Sequence, residues 1–400
     1  MSILQSLAAA FKGAAVSERA PLARGFISPW AEAFDWRGGD WGGGGARGAH
    51  NYPAAIREAY LKNPVAQRAV RLVAEGVGSA PLIVSDPEFA QLISATSAGQ
   101  ALLETLASQM LLHGNGYVQV LRDGDGRPAE LYALRPERVR ILPDANGWPA
   151  AFVYSLGETN MQIDANDEFG RPNVIHIRAF HPADDHYGAS CLEAADEAVA
   201  IHNAAARWNR SLLENAARPS GALVYDPGDP GAALSADQFE RIKAELTAAF
   251  SGEVNAGRPM LLEGGLKWQA LALSPADMDF ATLKAAAARD IALAFGVPPM
   301  LLGLPGDNTY ANYREANRAL WRLTLLPLGG KLLAALTEGL APWFPDVRLT
   351  IDLDKVPALA EDRERLWSQV SAASFLSPAE KRQMLGIAET KSEIGSETGA

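Results

Sequence analysis

The sequence contains almost no cysteine, since Cys191 is the single one among 400 residues. One thiol cannot form an intrachain disulfide, and a reducing assembly compartment is consistent with this composition. Long apolar runs are missing too, because no stretch of 18 or more apolar residues occurs, and a membrane-spanning helix needs about that length. The first eleven residues lack the basic segment and cleavage site of a secretory signal. We therefore expect a protein without disulfides and without contact to a membrane.

The phosphate-binding loop of nucleotide hydrolases is also missing. Its pattern, G-x-x-x-x-G-K-[ST], does not occur, and Gly329-Gly330-Lys331-Leu332 lacks both the upstream glycine and the hydroxyl residue. We therefore expect no nucleotide cofactor. Any energy for mechanical work would have to come from a partner.

Positive charge is in deficit, with 36 Lys and Arg against 47 Asp and Glu and a net charge of −11. Phosphate binding depends on Lys and Arg that displace counterions, so this balance argues against a protein that wraps nucleic acid. It does not exclude a protein past which DNA slides. With 48% hydrophobic residues, the chain can bury the cores of two or three domains.

The first half of the chain changes from a glycine-rich arm to a mixed domain. Seven glycines within residues 36–52 predict a mobile arm over residues 1–50. Residues 51–188 predict an α+β domain, with a helix that begins at Asn63-Pro64 and another near Gln100. Short strand-like runs follow, separated by Asp-Gly and Asn-Gly turns, and indicate an antiparallel meander plus one further strand.

The second half is dominated by long helices. Residues 189–218 contain no glycine or proline and predict a long helix, and a second is expected over residues 274–296. A compact insert, residues 219–273, lies between them. Its helix is expected to begin at Ser235, which forms a capping box with Gln238, and a strand is expected near Met260–Leu262. A loop rich in proline and glycine, residues 297–309, precedes a helical stretch over residues 310–350. Pro327 and Gly329-Gly330 predict a kink in that stretch. Residues 351–400 predict two short helices, the second capped by Ser377 with Glu380, and a disordered end.

Several local sequences, in this order, resemble the portal proteins of tailed bacteriophages, most closely the short form of siphophages and gene transfer agents. The segments that carry the resemblance are Asn63-Pro64, Leu112–Tyr117, Leu131–Pro136, Val174–Arg178, Tyr187–Ser190, Arg218–Gly221, Leu262–Gly265, Ala294–Gly303 and Thr309–Tyr313. Two positions depart from the family pattern: Cys191 stands where proline is more usual, and Ala217 stands in place of a glycine. Both concern helix ends.

The resemblance implies a portal fold with named parts. Residues 51–188 would be the wing, 189–218 and 274–296 the stem helices, 219–273 the clip and 297–309 the tunnel loop. Residues 310–350 would return to the wing, and 351–400 would form a reduced crown. It also implies a homo-oligomeric ring of about twelve subunits with cyclic symmetry at one capsid vertex, assembled in the bacterial cytoplasm. The implied partners are the DNA in the channel, the major capsid protein, the terminase and then the head–tail adaptor.

The same resemblance indicates which residues meet these partners. The residues expected to face DNA in the channel are Leu304, Pro305, Gly306, Asp307, Asn308, Thr309, Tyr310 and Tyr313. The residues expected to contact partners from the clip are Asp226, Asp229, Glu240, Lys243 and Glu253.

Two alternatives remain open at this point. His176, His181, Asp184 and His186 are metal-ligand types and would suit a metal-dependent hydrolase, although no H-E-x-x-H pattern accompanies them. The other alternative is a minor head or adaptor protein without a channel. The paired long helices around a small insert argue against that class, because a compact adaptor has no use for them.

Overall fold

The computed structural model describes residues 52–214, 221–225, 235–250, 266–270, 280–304 and 309–386. The predicted arm over residues 1–50, the predicted strand Met260–Leu262 and the predicted disordered end after residue 386 lie outside these ranges. Within them the chain combines helices and sheets, which confirms the predicted α+β class.

Helices dominate residues 52–113. Asn63 begins the first long one as predicted: its Oδ1 accepts hydrogen bonds from the backbone N–H of Val65 and of Ala66, both at 3.0 Å, and Pro64 occupies the first helical position. The helices are α1 (Tyr52–Ile56, continued by a π turn, Arg57–Leu61), α2 (Pro64–Gly78), α3 (Pro87–Ser94) and α4 (Leu102–His113). The short strands among them are β1 (Leu82–Val84), β2 (Thr96–Ser97) and β3 (Gln100–Ala101).

The expected meander is divided between two antiparallel sheets, so the prediction of one meander was wrong. The first sheet has the order β5–β4–β9 and the second has the order β6–β7–β8. A short 3₁₀ turn, Pro136–Arg138, separates β5 from β6. The strands are β4 (Asn115–Arg122), β5 (Pro128–Leu134), β6 (Val139–Pro143), β7 (Pro149–Leu156), β8 (Thr159–Asp164) and β9 (Val174–Arg178).

The two sheets share a core. Tyr117 and Val174 from the first sheet are buried together with Ile141 and Phe152 from the second. The rings of Tyr117 and Phe152 meet edge to face with centroids 5.8 Å apart. Splitting the strands therefore allows both sheets to bury an apolar face, which a single flat meander could not do.

One five-residue turn, with sequence D-x-x-G-x, occurs three times in this region, starting at Asp123, Asp144 and Asp167. In each, one carboxylate oxygen of the aspartate accepts hydrogen bonds from the backbone N–H groups two and four residues later, at 2.8–2.9 Å. The glycine has a positive φ each time, 76° at Gly126, 85° at Gly147 and 75° at Gly170. The aspartate carboxylate thus accepts hydrogen bonds from backbone N–H groups that find no backbone carbonyl within so tight a turn.

Two of these turns are fastened to the end of a distant helix by Trp343. Its indole Nε1 donates to the carbonyl of Gly126 at 2.9 Å. The guanidinium groups of Arg122 and Arg171 lie over its ring at 5.0 and 5.5 Å, and both donate to Asp167, at 2.7 and 2.8 Å. This cluster joins the hairpin tips to the helical part of the domain.

The second half of the chain begins with the long helix α5 (Cys191–Glu214). Of the insert, the structure describes a two-stranded antiparallel pair, β10 (Gly221–Tyr225) and β11 (Leu266–Ala270), and the helix α6 (Ala236–Phe250). Ser235 and Gln238 cap α6 reciprocally, as predicted. The second long helix is described as α7 (Phe280–Ala294); its expected start at Ser274 lies outside the described residues.

The predicted interruption of the next helical stretch takes the form of a π turn. The helix α8 (Tyr310–Leu320) leads into it at Trp321–Leu325, and α9 (Leu326–Leu340) follows. The N–H of Leu326 donates to the carbonyl of Trp321, a π-type bond, directly before Pro327, which has no N–H to offer. Gly329 lies in regular helix: an added Cβ there would come within 2.9 Å of Ile351 Cδ1, so this glycine permits close packing.

Taken as one stretch of 31 residues, Tyr310–Leu340 is long and apolar enough by composition to cross a membrane, a property that counting consecutive apolar residues did not reveal. Several of its apolar side chains are nevertheless packed inside the protein. Leu320, Leu332, Leu336 and Leu340 are buried in the main core. This pattern is typical of a core helix.

The chain then returns to the first domain and ends in two helices. The strand β12 (Leu349–Ile351) pairs antiparallel with β1. The helices α10 (Ala360–Ala372) and α11 (Pro378–Leu385) follow. Ser377 and Glu380 form the expected capping box of α11. The main core gathers buried residues from α2, α4, β4, β9, α5, α7 and α9, so both long helices are rooted in the mixed domain.

Candidate functional site: the paired helices and the turn after them

The helices α5 and α7 pack against each other along their length. Trp208, near the end of α5, meets Phe280 at the start of α7 with ring centroids 5.8 Å apart. Burial and the charge of Lys284 on α7 lower the pKa of His202 on α5. Both relationships place the helices antiparallel, with their facing ends connected through residues 215–279.

The start of α5 is clamped against the turn between α4 and β4. Gly114 has a φ of 74°, and an added Cβ would come within 2.3 Å of the Gly188 carbonyl oxygen. Asn115 Oδ1 accepts from the N–H of Gly188 at 2.9 Å, and Asn115 Nδ2 donates to the carbonyl of Gly188 at 3.3 Å. Backbone and side chain thus fix where the chain leaves the sheet and enters the helix.

A second buried polar cluster fixes the middle of α5. Asn63 Nδ2 lies 3.2 Å from His202 Nδ1 and donates to Asn203 Oδ1 at 3.0 Å. Asn203 Nδ2 in turn donates to the carbonyl of Glu58 at 2.9 Å. Because Asn63 also caps α2, the helices α2 and α5 are held together at this point.

The four candidate metal ligands are not brought together for that purpose. His176 is stacked on Tyr117, centroids 4.4 Å apart, and its Nε2 lies 3.1 Å from Asn115 Oδ1. Burial, with smaller effects of nearby Arg178 and histidines, lowers its pKa to about 3. Asp184 Oδ1 accepts from the N–H groups of His186 and Tyr187 within its own turn. His181 Nδ1 accepts from the N–H of Ala183.

No group of three His, Cys, Asp or Glu side chains within the described ranges could hold a metal ion. The hydrolase interpretation therefore has no support in this region. His181, Asp184 and His186 lie in the turn that precedes α5, whereas His176 lies in β9.

The turn after α7 is firmly packed over its first half. Gly296 has a φ of 64°, and its carbonyl accepts from Thr324 Oγ1 at 2.6 Å. Phe295 and Val297 are buried. Residues Pro299–Leu302 form a 3₁₀ turn that ends at Gly303, whose φ is 72°. The start of the segment 297–304 is thus anchored to the π turn through the hydrogen bond from Thr324 to Gly296.

The structure describes four of the eight residues expected to face DNA. Leu304 is half-buried, whereas Thr309 is exposed and accepts from the N–H of Asn312 to begin α8. Tyr310 and Tyr313 are 78% and 52% exposed, so both rings are available to a ligand or partner. Pro305, Gly306, Asp307 and Asn308 lie outside the described residues.

Of the five residues expected to contact partners from the clip, two are described. Glu240 and Lys243 are exposed on α6, with Lys243 Nζ 3.6 Å from Glu240 Oε1. An ion pair so exposed contributes little to stability, so both side chains are available at the surface. Asp226, Asp229 and Glu253 lie outside the described residues.

Sequence reasoning missed the partners that hold this site in place. Asn115 and Gly188 each lie in a segment that carried the family resemblance, but nothing local indicates that the two segments touch. Thr324 carried no signal at all. The glycine of Gly296-Val297-Pro298-Pro299 was visible, and a positive φ at a helix end is what such a glycine predicts.

The comparisons with known proteins agree with this architecture. The family model described as phage portal protein matches residues 64–386. A protein of Rickettsia bellii is 40% identical over 84% of this chain and 89% of its own. The probable portal protein of Streptomyces phage phiC31 is 26% identical over 75% of this chain and 69% of its own.

A solved structure gives the same result. A chain in the neck of a native gene transfer agent (GTA) particle, computed with C12 symmetry, is 46% identical and superposes with a TM-score of 0.65. The match covers 86% of this chain and 95% of that chain. The family model covers most of the sequence, and the paired helices, the insert and the packed turn occur in the expected order. The chain therefore belongs to the phage portal protein family and is a structural portal subunit, not an enzyme.

Proposed function

We propose that this chain assembles into a ring of twelve copies at one vertex of a phage-like particle, and that DNA enters and leaves through the ring. The 46% identical chain from a particle neck with C12 symmetry supports this proposal most directly. In the proposed ring, α5 and α7 form the stem around the channel. Residues 51–188 form the wing that meets the major capsid protein.

The charges of the stem helices suit a channel that must release DNA at each step. The helix α5 carries four acidic and two basic residues, and α7 carries one acidic and two basic residues. Five acidic and four basic side chains nearly balance, so the pair offers no continuous row of Lys and Arg. Each tight phosphate contact would have to be broken as the duplex advances. A balanced surface avoids that barrier.

Residues 297–309 form the tunnel loop in this proposal. Its first half is anchored by the Gly296–Thr324 hydrogen bond, and α8 begins at its end with exposed Tyr310 and Tyr313. The loop carries a single charge, Asp307. A loop held at both ends, with a negative charge, would touch DNA sterically without binding phosphates.

The insert, residues 219–273, would be the clip that docks the terminase during packaging and the head–tail adaptor afterwards. Its described strands, β10 and β11, pair with each other, and its helix α6 exposes Glu240 and Lys243. The insert thus has local structure of its own between the facing ends of the stem helices. Residues 351–400 would form the crown, and assembly would take place in the bacterial cytoplasm before the ring joins the particle.

Packaging by particles with an altered tunnel loop tests the proposal. Deleting Leu304–Asn308 should leave rings intact but reduce DNA packaging or retention, because the proposed constriction is shortened. Asp307→Arg should slow translocation, and added salt should relieve the defect, because ions screen a new phosphate contact. Glu364→Arg, at an exposed position of α10 that has no assigned partner, is the matched charge change outside the channel. Normal packaging and full-length DNA retention by the deletion variant would contradict this assignment of the loop.

A further inference from the structure

The exposed sides of the stem helices carry complementary shapes. Leu293 on α7 and Leu323 in the π turn are 79% and 76% exposed, and Leu283 on α7 is 44% exposed. These three residues are called the leucine face. Leu293 and Leu323 lie at the same end of α7, because Thr324, next to Leu323, donates to Gly296. Leucines this exposed leave apolar area in water unless a partner covers it.

The helix α5 presents small side chains on its exposed side. Its buried side packs Leu192 and Val199 into the core. Ala194, Ala200 and Ala204 are exposed and are called the alanine face. A row of alanines leaves a shallow groove in which a larger side chain can sit close to the helix.

The leucine face and the alanine face lie at matching positions along the common axis of α5 and α7. Height here means the distance along that axis from the contact between Trp208 and Phe280. Trp208 and Phe280 are level, since their rings touch. Ala204 lies four residues before Trp208, and Leu283 lies three residues after Phe280. Ala194 lies fourteen residues before Trp208, and Leu293 lies thirteen residues after Phe280. At about 1.5 Å per residue, each leucine is within a few ångströms of the height of its alanine.

One pair of opposite charges on α5 and α7 also lies at matching heights. Glu197 on α5 and Arg289 on α7 are both exposed. Glu197 lies eleven residues before Trp208 and Arg289 nine residues after Phe280, so they are also close in height. Their opposite signs favour contact between an α5 and an α7 brought together at the same level.

We propose that the leucine face of one copy packs against the alanine face of the next copy around the ring. This inference rests on the proposed ring. With the helix pair aligned along the ring axis, rotation about that axis keeps every residue at its height. The interface is heterologous, so it requires two different faces that fit each other. The leucine and alanine faces meet both conditions.

Disulfide cross-linking tests this register. In a Cys191→Ser background, the pairs Ala204→Cys with Leu283→Cys, and Ala194→Cys with Leu293→Cys, should each yield a ladder of oligomers under oxidation, reversed by reductant. The pair Ala194→Cys with Leu283→Cys is the matched control. Its partners differ in height by about eleven residues, roughly 16 Å, which is beyond the reach of a disulfide.

The outcomes separate this inference from the proposed ring. Rings in electron micrographs with ladders for both level pairs, and none for the control pair, are the expected result. Rings that yield only monomer-sized bands for both level pairs would overturn the packing of these faces and leave the ring in place. If the parent chain forms no rings, both proposals fail.

A second measurement does not depend on thiols. Leu293→Asp should lower the fraction of ring in gel filtration at least several-fold at equal concentration, with the melting temperature of the unassembled chain unchanged. Phe375→Asp, at an 84% exposed site near the chain end, is the matched control and should assemble like the parent. Equal ring fractions for Leu293→Asp and the parent would contradict the proposed interface.

Discussion

Asn115 and Gly188 are joined by two hydrogen bonds, although 73 residues separate them. The side-chain oxygen of Asn115 accepts from the backbone of Gly188, and its amide nitrogen donates back to the same residue. Together with Gly114, whose backbone lies against Gly188, this contact sets the point at which α5 leaves the mixed domain. The orientation of that helix therefore depends on a pair of glycines and one amide.

The Gly114–Gly188 contact predicts that Gly188→Ala is strongly destabilising. An added Cβ would lie 2.2 Å from the carbonyl oxygen of Gly114 and 2.5 Å from the nitrogen of Ala179. Backbone atoms cannot move aside cheaply, so we expect a loss of about 3 kcal/mol or more in the free energy of unfolding. Chemical denaturation measures it. Gly330→Ala, in helix α9 with open space around it, should instead gain up to about 1 kcal/mol.

The repeated D-x-x-G-x turn allows a comparison within one loop. Gly126 has a φ of 76°, and Gly124, two residues earlier, is not in the left-handed region and has nothing within 4 Å of an added Cβ. Gly126→Ala should therefore cost about 1–2 kcal/mol of unfolding free energy, because alanine is strained at that φ, while Gly124→Ala should be neutral. Equal melting temperatures for the two variants would show that the turn does not depend on this backbone conformation.

The buried His176 makes stability depend on pH. Burial lowers its pKa to about 3 in the folded chain, against about 6.5 when unfolded. Between these values the unfolded chain binds the extra proton, so the free energy of unfolding is greatest above pH 6.5 and falls as the pH decreases. Burial of His113, with a pKa of about 4, acts in the same direction.

His176→Gln should make that pH dependence shallower, because glutamine can donate to Asn115 without titrating. Denaturation at about pH 7 and pH 4.5 compares the slopes. Thr324→Val, which changes no titratable group, is the control and should retain the parent slope. An unchanged slope in His176→Gln would mean that this histidine is not held neutral by the fold.

The hydrogen bond from Thr324 to Gly296 predicts a modest and specific effect. Thr324→Val keeps the shape but removes the donor, so unfolding free energy should fall by about 1 kcal/mol. Thr324→Ser retains the hydroxyl and should lose less. If the anchored turn positions the tunnel loop, Thr324→Val should also reduce DNA retention in particles, whereas a valine variant with normal retention would separate the anchor from the channel.

Local signals in the sequence predicted local structure well. Asn63-Pro64 marked the start of α2, the stretch without glycine or proline marked α5, and the Ser377 capping box marked α11. Each of these depends on residues within one or two turns of each other. The strand β8 was missed, because its sequence, Thr159–Asp164, is largely polar and exposed.

Features that depend on distant contacts were not predictable. The division of the strands into two sheets follows from burying Tyr117 against Phe152, which pairs residues 35 positions apart. The helix was expected to kink at Pro327, but its irregular part is the π turn at Trp321–Leu325, about one turn earlier. The candidate site shows the same limit, since its exposed tyrosines came from the family resemblance and their supporting contacts came only from the structure.

The measurement that bears most directly on the central claim is electron microscopy of the purified, full-length protein. We expect end-on views of rings with a central hole and twelve-fold rotational symmetry, formed without added DNA or nucleotide. Two-dimensional class averages of these views would show both the number of subunits and the presence of a central hole. Monomers, open filaments or closed particles without a central hole, at concentrations where the protein is folded, would contradict the account.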